Sequence, residues 1–163
     1  MGTLLGYLTR SPSRANRALG LAATAAFVVG ALLVLWTAYI HFHLWNETDG
    51  YRHISVIGPL FLAQAIGGLV IAVALVAVRR VWVAIAGAGF GLSTLVGFLL
   101  TVGLSKGLFN FKESWEAPFA KQAFGIELAL TVVLLAAGSL CLRGSTPRVR
   151  TGSALAGHAP SSA

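Results

Sequence analysis

The sequence predicts an all-α, integral membrane four-helix up-down bundle with its N- and C-termini cytoplasmic. Three observations lead there. The 163 residues are 56% hydrophobic and only 10% charged, with a mean hydropathy of +0.80, whereas a soluble domain carries about a quarter of charged residues. Four apolar runs each reach the ~20 residues needed to cross a ~30 Å hydrocarbon layer. The basic residues stand just outside those runs: Arg10, Arg14, Arg17, Arg79, Arg80, Arg143, Arg148 and Arg150 are eight of the twelve. The five acidic residues, Glu47, Asp49, Glu113, Glu116 and Glu127, fall on the other side or in the helix that begins there. That asymmetry places both termini inside. It also reads the net charge of +7 as a topology signal beside an anionic membrane surface, so nucleic acid is not expected as a partner.

Residues 1–17 mix short apolar stretches with Ser11, Pro12, Ser13 and three arginines, a cytoplasmic basic lead-in. The membrane domain spans 18–142. Its first span, about 18–42, is too long for the ~7–15-residue core of a signal peptide and should stay in the bilayer. Trp36, Tyr39 and Trp45 gather toward its far end, as aromatic residues do at an interface. A polar turn over 45–55 then reverses the chain, with Asn46, Asp49 and Gly50 supplying turn chemistry. The Asn46-Glu47-Thr48 sequon within it is too short and common a pattern to carry weight.

The second span covers about 56–78, with Pro59 in its first turn, where a missing N–H costs little. Arg79 and Arg80 alone connect it to the third, about 81–104, so these two spans are antiparallel neighbours. Glycines crowd the third span, and Gly87-x-x-x-Gly91 has the spacing that lets helices approach closely; Ala22, Ala26 and Gly30 form a similar stripe on the first. Such stripes serve packing within the chain first and self-association second. The loop 105–117 alternates Leu108, Phe109, Phe111 and Trp115 with Lys106, Lys112, Glu113 and Glu116, the pattern of a segment lying in the interface. Pro118 is placed to open the fourth span, about 118–142, and the Pro-, Gly- and Ser-containing tail 143–163 is expected to be disordered.

The outer half of this bundle holds the residues that could carry chemistry. Glu127 is the most informative, because a carboxyl inside a span is expensive and needs a partner or a water-filled cavity. Gln64 lies at a comparable level and His41 about one turn from the outer end of its span, with Arg52, His53 and Lys121 above. Together these form a candidate ligand or proton site. The bland alternative is that each satisfies a neighbouring helix or reaches the headgroups, and convergence of His41, Gln64 and Glu127 is what separates the two readings.

His41 and His43 stand two residues apart, so on a continuous helix they face opposite ways and cannot share a metal ion. A bis-histidine haem needs ligands on facing helices, and the third and fourth spans contain no histidine. No metal site and no cofactor are expected. Cys141 is the single cysteine, which excludes CxxC redox chemistry. There is no P-loop, HExxH or GxSxG and no pair of intramembrane carboxylates, so no catalytic residue is assigned.

The runs His41-x-His43-Leu44-Trp45, Gly50-Tyr51-Arg52-x-Ile54 and Ile57-Gly58-Pro59-Leu60-Phe61, with Gly107-Leu108-Phe109-x-Phe111-x-Glu113 as a second landmark, resemble those of small four-helix membrane proteins of actinobacteria. The resemblance covers about 18–142; it implies the four-span fold and a bacterial plasma membrane and carries no activity. A looser similarity to DoxX-like proteins rests on span count and size. From the sequence, the leading expectation is a non-enzymatic accessory or scaffold subunit, partnered by the lipid bilayer and by other membrane subunits or a second copy. The alternative is a ligand-binding or proton-handling membrane protein with a polar pocket in its outer half.

Overall fold

The computed structural model describes residues 3–47 and 49–144. Thr48 of the sequon, residues 1 and 2, and the tail from 145 onward lie outside the described residues. The elements are α1 (Leu4–Leu8), α2 (Arg17–Asn46), a 3-10 turn (Tyr51–His53), α3 (Ile57–Ala77), α4 (Val81–Gly103) and α5 (Ala120–Arg143). The last four α-helices are long and apolar enough to cross a membrane.

The lead-in is tied to the bundle through Arg10. The Arg10 carbonyl accepts from Val81 N at 3.0 Å, and its guanidinium Nη1 donates to the Leu142 carbonyl at 3.3 Å. One residue thereby satisfies a first N–H of α4 and a last carbonyl of α5, groups that a helix leaves orphaned. Asn16 caps α2, its side-chain oxygen accepting from Leu19 N at 3.2 Å.

Two boundaries differ from those read in the sequence. The helix of the first span, α2, continues one turn beyond 42, to Asn46, because no residue there breaks it and the His43–Glu47 pair, 3.0 Å apart at i,i+4, spans its last turn. The last helix opens at Ala120 and not at Pro118. Phe119 adopts the left-handed region at φ 62°, so the chain bends sharply just before α5, and Pro118 belongs to the loop. Pro59 is the third residue of α3, where its missing N–H removes no intrahelical bond.

α2 packs extensively against α3 and α5, and α4 against α5, whereas α3 and α4 touch sparingly. The core is built on Phe27, Val34, Leu75, Leu130, Leu134 and Ala137, all fully buried. Leu134 of α5 is its central knob. One methyl lies where a Gly30 side chain would start, the other where a Gly87 side chain would start, and Gly91 meets Leu130 and Thr131 in the same way. The small residues of α2 and α4 thus receive α5 within the chain, which is how helices without a hydrophobic driving force gain close packing. Large side chains such as Leu32, Leu69, Val73, Ile85, Val132 and Leu135 point outward and exposed, the arrangement of helices solvated by lipid.

Candidate functional site

The sparse contact between α3 and α4 creates the site. Toward one end these helices meet through Ile71 and Leu75 beside Gly87, and through Phe90 beside Gly67 and Gly68. Further along, the Gln64 amide donates to Thr94 Oγ1, which itself donates to the Phe90 carbonyl at 3.1 Å. Beyond that bridge the helices part and leave a cavity of about 350 Å³, within the range of small-molecule sites. Its wall takes residues from α2 (Ile40, His41, Leu44), α3 (Ile57, Leu60, Phe61, Gln64), α4 (Gly97, Phe98, Thr101) and α5 (Ala123, Phe124, Glu127). The loop 104–119 and Tyr51 close the end of the cavity away from that bridge.

Three of the sequence-derived candidates therefore come together: His41, Gln64 and Glu127 line one cavity. They are not bonded directly to one another. Thr37, one turn before His41 on α2, links two of them: its hydroxyl donates to Glu127 Oε1 at 2.9 Å, and His41 Nδ1 lies 2.8 Å from the Thr37 carbonyl. Only an N–H makes that second contact, so Nδ1 carries hydrogen and neutral His41 presents Nε2 as its acceptor. Thr37, His41 and Glu127 are 0%, 7% and 1% exposed, so the polar chain is sealed from bulk solvent on every side but the cavity.

Arg52 and His53 are not part of this wall. Both are exposed, and Arg52 Nε donates to His53 Nε2 at 3.0 Å. Lys121 pairs instead with Glu116 at 2.8 Å, also on the surface. His43 points away from His41, as a continuous helix requires, stacking on Tyr39 and pairing with Glu47.

The 3-10 turn supplies a residue that the sequence did not single out. Tyr51 lies flat on Phe61, ring centroids 4.4 Å apart, and Phe61 in turn contacts His41 at 5.0 Å. From the roof, Phe111 meets Tyr51 edge-on at 5.6 Å, and Glu113 Oε2 accepts from the Tyr51 hydroxyl at 2.6 Å. Burial, reinforced by the hydrogen bond to the Glu113 carboxylate and its negative charge, holds the Tyr51 phenol well above the ordinary tyrosine value.

The roof is a two-residue hairpin. Leu108 and Phe111 exchange both backbone hydrogen bonds at 2.9 Å, with Phe109 and Asn110 at positive φ (54° and 60°) as a type I′ turn requires. Gly107 precedes it at φ 68°, where a Cβ would collide with the Phe111 carbonyl. On the far side, Trp115 packs edge-on against Phe98 and Phe124 at 4.8 and 5.2 Å.

Thr37 and Tyr51 each had a faint signal in the sequence. A hydroxyl four residues before an intramembrane histidine shares its helix face, and Tyr51 and Glu113 belong to the two short runs noted as landmarks. Among the described residues no three of His, Cys, Asp or Glu gather as a metal-binding group. No family model, curated protein or solved structure matches the chain.

Proposed function

We propose that this is a multi-pass protein of a bacterial plasma membrane, an up-down bundle with cytoplasmic termini, that binds a small amphipathic molecule in the cavity of its outer half. The observation that carries this reading is the shared wall of His41, Gln64 and Glu127 around about 350 Å³ of space otherwise bounded by aromatic and aliphatic side chains. A site of this kind holds the body of a ligand by apolar contact and orients it with a few polar groups. His41 Nε2 offers an acceptor, the Glu127 carboxyl can accept or donate, and the hydroxyls of Thr94 and Thr101 stand on the opposite wall. An accessory or scaffold subunit needs only outward surfaces, and a mainly apolar cavity inside the bundle with a few polar groups in its wall favours ligand binding over that role.

The test uses Gly97, which lines the cavity and has open space where a side chain would begin. Organic extracts of the protein purified in mild detergent are compared by mass spectrometry with those of Gly97→Leu. A compound enriched in the wild type and depleted severalfold in the variant supports the proposal. Identical extracts from two equally folded proteins would remove it. Orientation is tested in intact cells in a Cys141→Ala background: an impermeant maleimide should label Asn110→Cys and leave Arg79→Cys unlabelled until the cells are opened.

A further inference from the structure

The charges of the cavity wall are one-sided. Among the described residues it contains two carboxyl groups, Glu127 in its depth and Glu113 at its roof, and no lysine or arginine. Cations are not scarce in the chain, which has twelve basic residues against five acidic ones. Among the described residues the ion pairs are His43–Glu47 and Lys121–Glu116, and none of those four residues lines the cavity. Among the described residues, the carboxyl groups that do line it have no basic partner. Their hydrogen bonds come from neutral donors: Thr37 to Glu127 Oε1, Tyr51 to Glu113 Oε2, and Ser114 N to Glu113 Oε1 at 3.0 Å.

The rings complete the pattern. His41, Phe61, Tyr51 and Phe111 form a continuous aromatic wall, and Phe98 and Phe124 form another. Aromatic faces attract a desolvated cation. A carboxylate taken out of water without a counter-charge is costly, and a bound cation relieves that cost. A neutral ligand would use the rings and could hydrogen-bond the carboxyl groups but would bring no counter-charge to them, while an anion would be opposed both at the roof and in the depth.

We infer that the ligand is a lipophilic organic cation, a quaternary or protonated amine, whose apolar body lies against the rings and whose charge is met by Glu127, with Glu113 at the mouth. This rests on the reading of the cavity as a ligand site, and the experiment separates the two. Binding of benzyltrimethylammonium, of its uncharged carbon isostere neopentylbenzene and of benzenesulfonate is followed by tryptophan fluorescence, Trp115 being packed on the cavity rings Phe98 and Phe124. The protein is kept in non-ionic detergent, and comparing affinity ratios between variants cancels partition into the micelle. The cation should bind at least tenfold more tightly than the isostere, and benzenesulfonate should not bind. Glu127→Gln, whose amide oxygen still accepts from Thr37, should bring the ratio to within about twofold of unity by weakening the cation alone. If Glu127→Gln fails to fold, Glu113→Gln carries the test, with a smaller fall of the same ratio. A wild type that binds isostere and cation equally overturns the cation inference and leaves the cavity as a ligand site. Probes that all fail to bind, or that bind Gly97→Leu as well as the wild type, overturn both.

Discussion

Replacing Thr37 by valine keeps the shape of the side chain and deletes the one hydroxyl that bonds the buried carboxyl of Glu127. His41 keeps its bond, because its Nδ1–H goes to the Thr37 backbone carbonyl. The perturbation therefore removes the bond to Glu127 together with a longer, 3.4 Å contact between the Thr37 hydroxyl and His41 Nδ1. An average hydrogen bond between membrane helices is worth only about 0.6 kcal/mol, since the unfolded chain in the bilayer finds other partners. Leaving a buried polar group unsatisfied costs more, about 1–3 kcal/mol. Glu127 is 1% exposed, so the second figure governs, and Thr37→Val should destabilise by about 1–3 kcal/mol. For a chain of this size that lowers Tm by ~2–4 °C per kcal/mol. Cys141, fully buried, gives the assay: a thiol-reactive dye reports its exposure on heating in detergent. The decisive measurement is the cycle with Glu127→Leu. Removing both partners of a hydrogen bond costs less than the sum of the single losses, so the double variant should recover more than about 1 kcal/mol relative to additivity. Additive effects within about 0.5 kcal/mol would refute the claim that this bond holds α2 to α5 at the site.

Further predictions follow from the packing knob, the roof and the tyrosine. Gly87→Ala puts a methyl group where Leu134 Cδ1 lies; overpacking of about 1–3 kcal/mol is expected, seen in the same melting assay, and Leu134→Val in the same chain should restore part of it. Gly107→Ala forces a side chain into the left-handed region at about 1–2 kcal/mol, besides the collision with Phe111. It should loosen the roof and speed tryptic cleavage at Lys106 and Lys112 severalfold without a comparable change in helicity. Tyr51, its folded value raised, should remain a phenol when ordinary tyrosines ionise near pH 10. In an ultraviolet titration Tyr51→Phe should therefore remove absorbance that develops only well above pH 10. Its contribution to stability is complete below pH ~10 and is lost as pH rises toward the folded value, because there the unfolded state holds fewer protons.

The four long apolar helices were legible because the bilayer imposes both their length and their composition, so 56% hydrophobic residues and flanking arginines carry the information directly. Helix ends were not, because at an interface local backbone geometry decides. Nothing in the residue types around Phe119 announces a positive φ, and a proline two residues before the helix start reads like a proline inside its first turn. The site was half legible for a related reason. Glu127, Gln64 and His41 stand out because polar groups are rare inside spans, whereas Thr37 hides among threonines that bond their own helix, as Thr24, Thr94 and Thr131 do. Arg52 and His53 looked like members by level alone, and level does not fix direction: their 3-10 turn sends Tyr51 inward and its two successors outward.

The same turn explains why the roof matters more than its sequence suggests. Aromatic and charged residues in alternation read as a segment resting on the membrane surface, and the exposed Phe109 and Lys112 fit that. Glu113 does not. Two short runs, Gly50 to Ile54 and Gly107 to Glu113, meet at the bond from Tyr51 to Glu113 and the edge contact of Tyr51 with Phe111. That meeting fixes the carboxylate over the cavity mouth and leaves the basic side chains of the same loop outside. A loop that merely lay on lipid headgroups would have no reason to sort its charges in this way. A loop that screens what enters a carboxyl-lined cavity would, and exchanging Lys112 and Glu113 (Lys112→Glu with Glu113→Lys) should therefore weaken benzyltrimethylammonium binding at constant net charge. Unchanged binding in that exchange would mean that the roof is only a cover.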